Sequence, residues 1–229
     1  DESDEIGLIA LQGPRAQEIL APLSSEPLDP IGFYEFAVGT VGGVPGVISR
    51  TGYTGEDGFE LYVPSDRTSA LWRELLAAGA PAGLVPAGLG ARDSLRLEMG
   101  YALYGNDLDD QTSPIEAGLS WLVKLDKGEF VGREALQRQK DSGVTRRLRG
   151  FRLAERGFPR PGYEVVLDGE VVGPVRSGTV SPSVDAGIGT AYLPPEVGFG
   201  DEIAIRIRGR ELSATVERMP FYPDGSVRK

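Results

Sequence analysis

The last third of the chain is a train of short strand-like runs. Tyr163–Leu167 and Glu170–Val172 flank Asp168-Gly169, a two-residue hairpin signal. Val175–Val180, Gly187–Leu193, Ile203–Ile207 and Leu212–Val216 follow, each bounded by Gly, Pro or Asp. Strands at this spacing close into a small barrel or stack as a sandwich. The chain holds 32 Gly and 17 Pro, so turns are frequent throughout and β content is high.

The first 80 residues read differently. Ile6–Leu11 is a strand, and Gly13-Pro14 starts a helix with Ala16, Ile19 and Leu20 as its apolar stripe. Phe33–Val41 and Val44–Arg50 are strands joined at Gly42-Gly43, and Phe59–Val63 is a further strand. Ser65 is placed to cap a helix whose buried stripe is Leu71, Trp72, Leu75 and Leu76, with Gly79 as its stop. Ala91–Met99 is a second helix, stopped by Gly100, with Asp93 and Arg96 spaced to pair. Trp121–Leu125 returns to a strand, and Lys127–Leu136 turns into a helix. The class is α+β. Asp141–Arg147 is the expected boundary, dividing the chain into 1–142 and 143–229.

Composition narrows the chemistry. The chain of 229 residues has a net charge of -10, which argues against nucleic acid as a partner. No apolar run reaches membrane-spanning length. There is no Cys and no His, so disulfides, thiolate metal sites and the commonest general base are excluded. Acid–base work falls to Asp, Glu, Lys or Tyr.

Arg50–Val63, RTGYTGEDGFELYV, is the densest candidate site. Gly52, Gly55 and Gly58 recur every third residue around Tyr53. The alternation after Gly58 buries Phe59, Leu61 and Val63 and holds Glu60 on the opposite face. Such a carboxylate beside a glycine-rich turn is either a ligand platform or a solvated hairpin. Arg92, in the first turn of its helix, gains nothing from the helix dipole. Trp121 either stacks on a flat ligand or belongs to the core.

Taken together, eight collinear pieces resemble the T-protein of the glycine cleavage system, an aminomethyltransferase. They are Leu8–Ala16, Thr51–Glu60, Gly88–Gly100, Leu103–Asp109, Thr112–Trp121, Gly128–Leu136, Ser177–Pro182 and Met219–Tyr222. The resemblance implies a ferredoxin-like folate-binding lobe followed by a small C-terminal β-barrel. It implies transfer of a methylene from an aminomethyl-lipoyl group, carried by the H-protein, to tetrahydrofolate with release of ammonia. It implies no metal. Glu60 matches the family's pterin-side acid and Arg92 its folate-binding arginine. Tyr53 and Tyr34 match ring contacts, and Trp121 is a further candidate. Asp93 and Asp107 read as structural.

The family's catalytic aspartate lies upstream of Leu8–Ala16, so no catalytic residue is expected among these 229 residues. The expectation is an N-terminally incomplete fragment that binds folate weakly and is inactive alone. Asp224–Lys229 lacks the aromatic ending of some members, and no contact is assigned to it. One alternative is the folate-accepting module of a sarcosine or dimethylglycine dehydrogenase. Another is a non-catalytic folate-binding protein, whose signature cysteine is here Glu129. Two basic clusters, Arg146–Arg152 and Arg206–Arg210, either steer an acidic carrier or line solvated strands. The absence of cysteine is consistent with a cytoplasmic location.

Overall fold

The computed structural model describes residues 1–228, which form two compact units. The first contains residues 1–92 and the segment from Asp224; the second contains Asp93–Pro223.

The first unit is a four-stranded antiparallel sheet in the order β1-β4-β3-β2. Its elements are β1 (Ile6–Gln12), α1 (Ala16–Leu20), β2 (Phe36–Val41), β3 (Val44–Ser49), β4 (Gly58–Pro64) and α2 (Thr68–Gly79). Both helices pack on one face, because Ile19, Leu20, Leu71 and Leu75 share a single core with Ile9, Ile48, Phe59, Leu61 and Val63. Full burial of each such side chain contributes about 1.5–3 kcal/mol. The alternation in β4 therefore fixes which face is covered. The opposite face is open: Leu8, Phe36 and Val38 are exposed there. Two cross-strand rows run over it, Ala10–Glu60–Ser49–Phe36 and Leu8–Tyr62–Val47–Val38.

Several local expectations for this unit are corrected. α1 begins at Ala16 rather than Pro14, because Gly13 (φ +128) and the two residues after it form a turn. Ser65 does not cap α2; Ser65–Arg67 is already a 3-10 turn, and the helix continues from it without a side-chain cap. Trp72 is not core but 39% exposed, at the edge of the stripe made by Leu71 and Leu75. Gly79 stays right-handed (φ -83), and the stop lies at Gly83 (φ +82). Leu84 N–H donates to the Gly79 carbonyl and Gly83 N–H to that of Ala80, a Schellman closure.

The boundary between the units falls within α3 (Leu89–Glu98). The second unit adds α4 (Arg133–Ser142) and the strands β5 (Arg147–Leu153), β6 (Glu164–Leu167), β7 (Glu170–Ser181), β8 (Ala186–Leu193), β9 (Glu202–Ile207) and β10 (Arg210–Glu217). These strands close into an antiparallel barrel in the order β10-β5-β8-β7-β6-β9. Asp168 and Gly169 both have positive φ, 51 and 85, as a tight hairpin turn requires. Phe151, Val165, Val175, Leu193, Ile205 and Val216 fill the interior. The α+β class and the small terminal barrel are both observed.

Trp121–Leu125 is not a strand. Ser120–Leu122 is a 3-10 turn whose backbone bonds are local, Leu122 N–H to Leu119 and Val123 N–H to Ser120. Gly118, at φ +75, turns the chain just before it.

The serines of SGTVSP have a structural use. Ser177 and Ser181 lie four residues apart on β7, on the same side of the strand. Ser177 Oγ donates to Asp107 at 2.7 Å and accepts from Arg96 Nη2 at 2.9 Å. Ser181 Oγ and Ser183 Oγ both donate to the Glu98 carboxylate. Arg96, Asp107 and Glu98 are buried, and each is multiply bonded, as buried charge requires. Of the basic clusters, Arg146 pairs with Glu116, Arg152 with Glu217, and Arg206 with Glu164 and Glu211.

Candidate ligand site

The loop between β3 and β4 is built by a short list of polar contacts. Gln12, at the end of β1, reaches into it. Its Nε2 donates to the Thr51 carbonyl at 3.0 Å, and its Oε1 accepts from Thr54 Oγ1 at 2.8 Å. The Gln12 amide lies directly against Gly52, where a Cβ would overlap it. Gly55 takes φ +80, which closes the turn.

Arg50 and Asp57 join the two ends of the loop. Arg50 Nε and Nη2 donate to Asp57 Oδ1 and Oδ2 at 2.9 and 2.8 Å, a bidentate pair. Arg50 Nη1 also donates to the Ile31 carbonyl at 3.1 Å, and its guanidinium lies 5.4 Å from the Phe59 ring centre. The bond to Asp57 raises the Arg50 pKa above its usual high value, with burial working against it.

Glu60 stands on the open face of the sheet, between Ala10 and Ser49 in its row. Thr51 Oγ1 donates to Glu60 Oε2, which turns the carboxylate toward the loop end of the sheet. Tyr62, two residues on along the same face, has its pKa raised by burial and by the charge of Glu60.

Tyr53 rises from the loop, and its ring lies 4.8 Å from the Arg92 guanidinium carbon, a cation–π distance. Arg92 is exposed, on the fourth residue of α3. Tyr34 sits at φ +67, uncommon for a bulky side chain. Its N–H donates to the Arg50 carbonyl at 3.0 Å, and its ring packs on Phe33 at 4.3 Å. The residue is 74% exposed. Thus Glu60, Tyr53, Tyr34 and Arg92 all belong to one unit. Thr51 bonds Glu60, Tyr53 lies in the same loop, and Tyr34 is tied to the residue before that loop. Trp121 lies in the second unit and is 66% exposed, so it is not a core residue.

Sequence reasoning missed the residues that shape the loop. Arg50 and Asp57 carried a signal, since opposite charges bracket the glycine-rich stretch. Gln12 and Ser226 carried none. The sequence assigns no contact to the segment after Pro223, and the structure supplies several. Ser226 Oγ accepts from Asp57 N–H at 2.8 Å and donates to Glu56, and Val227 N–H donates to the Gly55 carbonyl at 3.2 Å. Lys229 lies outside the described residues. Among the described residues no cluster of three or more Asp or Glu is arranged to hold a metal ion. No described helix is long and apolar enough to cross a membrane.

An open sheet face with one fixed carboxylate, in a chain that also carries an antiparallel barrel, defines a two-part class of protein. The GCVT N-terminal domain family matches residues 1–127, and the glycine cleavage T-protein C-terminal barrel domain matches residues 146–223. The chain belongs to the glycine cleavage T-protein family. It is 49% identical over 222 residues to the aminomethyltransferase of Halothermothrix orenii, covering 96% of this chain and 62% of that protein. It is 51% identical over 229 residues to that of Symbiobacterium thermophilum, covering 97% and 60%. Among solved structures, the glycine cleavage system aminomethyltransferase T of Bartonella henselae superposes with a TM-score of 0.87 at 34% identity, covering 96% of this chain and 60% of that one. The chain therefore spans about three fifths of the length of the curated relatives it matches.

Proposed function

We propose that this chain forms the folate-binding and barrel portions of an aminomethyltransferase. The whole protein would pass the methylene of an aminomethyl-lipoyl group on the H-protein to tetrahydrofolate, release ammonia and leave a reduced lipoyl group. Residues 1–142 would form the folate-binding domain and 143–229 the barrel domain.

The observation that carries the reading is Glu60. A pterin edge presents adjacent N–H donors, and a carboxylate accepts two of them in parallel, which fixes ring orientation. The Thr51 hydroxyl bonds one carboxylate oxygen and so helps to fix the carboxylate on the open face of the sheet. Ala10 and Ser49 stand beside Glu60 on the same face, so the surface around the carboxylate is partly apolar, as a planar ring would need. Arg92, stacked on Tyr53, would meet an anionic or carbonyl-rich part of the ligand, and Tyr34 would add ring contact. No group among these residues is assigned the acid–base step. The 229 residues alone are proposed to bind folate without turnover.

Calorimetric titration of tetrahydrofolate tests this. Loss of two hydrogen bonds to a charged group weakens binding by at least about tenfold, so Glu60→Ala is expected to bind that much less tightly. Equal affinity in the mutant refutes the role of Glu60. Methylene transfer by the isolated chain refutes the proposed inactivity.

A further inference from the structure

The glycine-rich loop is gripped from two directions, and only one grip is local. Gln12, Gly13 and Arg50 hold it through residues adjacent to the sheet. The other grip comes from Gly225–Val227, about 170 residues further along the chain. Ser226 is its centre. Its Oγ accepts from Asp57 N–H at 2.8 Å, and both its Oγ and its N–H donate to Glu56 Oε2, the latter at 3.2 Å. Val227 N–H adds a bond to the Gly55 carbonyl. Gly225 is buried, and a Cβ on it would overlap the Gly55 carbonyl oxygen, so only glycine permits this approach.

We infer that Gly225–Val227 is a strap that sets the conformation of the Thr51–Asp57 loop and thereby positions Tyr53, with Ser226 as the positioning residue. The physical reason is entropic. A loop with glycine at 52 and 55 has a large conformational freedom to lose on binding a ligand. Bonds to three consecutive loop residues, Gly55, Glu56 and Asp57, remove that freedom before the ligand arrives. Tyr53 precedes those residues by two positions, and its ring carries the Arg92 guanidinium. A fixed loop therefore fixes the aromatic surface and the cation that it supports. Ser226 does not itself touch the ligand. The inference rests on the reading of Tyr53 and Arg92 as ligand contacts, but the strap has its own ligand-free signature.

The experiment compares the unmutated 229-residue chain with Ser226→Ala and Ser226→Thr. Hydrogen exchange is followed across Thr51–Asp57, tetrahydrofolate affinity is measured by calorimetry, and urea unfolding monitors the fold. Removing a hydroxyl bonded to a carboxylate is expected to speed loop exchange by about tenfold or more in Ser226→Ala. Tetrahydrofolate affinity is expected to fall by about fivefold to tenfold, from the ordering freedom restored to the loop. Threonine keeps the hydroxyl and is expected to restore both. Unchanged loop exchange in Ser226→Ala overturns the strap. Faster exchange with unchanged folate affinity overturns its positioning role. If the unmutated chain does not bind tetrahydrofolate, the folate reading fails separately, and the Tyr53–Arg92 contact observed by NMR decides. Its loss in Ser226→Ala supports the strap, and its retention overturns it.

Discussion

Replacing Asp107 with alanine removes the acceptor on which a buried network converges. The carboxylate accepts from Arg96 Nη1 at 2.8 Å, Ser177 Oγ at 2.7 Å, Leu103 N–H at 2.9 Å and Thr190 Oγ1. Arg96 and Asp107 are each only 1% exposed, so water cannot replace the lost partner without rearrangement of the barrel wall. Removing one member of a buried ion pair costs about 3–5 kcal/mol, since the remaining charge stays buried. Four donors losing about 1 kcal/mol each lead to the same range. Asp107→Ala should therefore lower the unfolding free energy of the second unit by about 3–5 kcal/mol, read from urea denaturation followed by circular dichroism. The double variant Arg96→Met/Asp107→Leu leaves no fully buried charge unpaired, although Ser177, Thr190 and Leu103 N–H still lose their acceptor, and should recover only the part of that loss due to the stranded Arg96 charge. A single-variant cost below about 1 kcal/mol would falsify the claim that the network is desolvated. So would a double variant as unstable as the sum of the singles.

Three further outcomes are expected. Burial raises the Glu116 carboxyl, but the Ser113 N–H and Arg146 outweigh it and hold its pKa below the ordinary value. The bond to Arg176 likewise lowers Asp109. Depressed carboxylates stabilise the fold above their unfolded pKa, so stability should fall as pH drops below about 4.3, and Glu116→Gln should flatten that decline in acid unfolding curves. Gly189→Ala places a methyl group in the space occupied by the Phe151 ring on the paired strand, and should cost about 1–3 kcal/mol in the same urea assay. A double-mutant cycle on Arg50 and Asp57 should give a coupling of about 1–3 kcal/mol, because the pair is bidentate and partly buried; additive single variants would rule out cooperation between the loop ends.

How much was legible depended on how local the cause was. The strand train of the barrel could be read because each strand is marked by its own alternation and by the turn residues beside it. The Asp168-Gly169 turn is one example, with both residues at positive φ. Glu60 was legible for the same reason: Phe59 and Leu61 are fully buried on either side of it, which forces Glu60 to the other face. Trp72 was misread as core, because exposure depends on what lies across from a residue, and hydrophobicity alone does not report that.

The sequence by itself determined the α+β character, the positions of most strands and helices, and the face on which Glu60 stands. These follow from periodicity and turn chemistry acting over a few residues. The tertiary structure decided that the SGTVSP serines bond Arg96, Asp107 and Glu98, and that Ser226 ties down a loop some 170 residues earlier. Each is a pairing of polar groups between distant segments. A buried donor or acceptor needs a partner, but local sequence does not say which distant group will supply it.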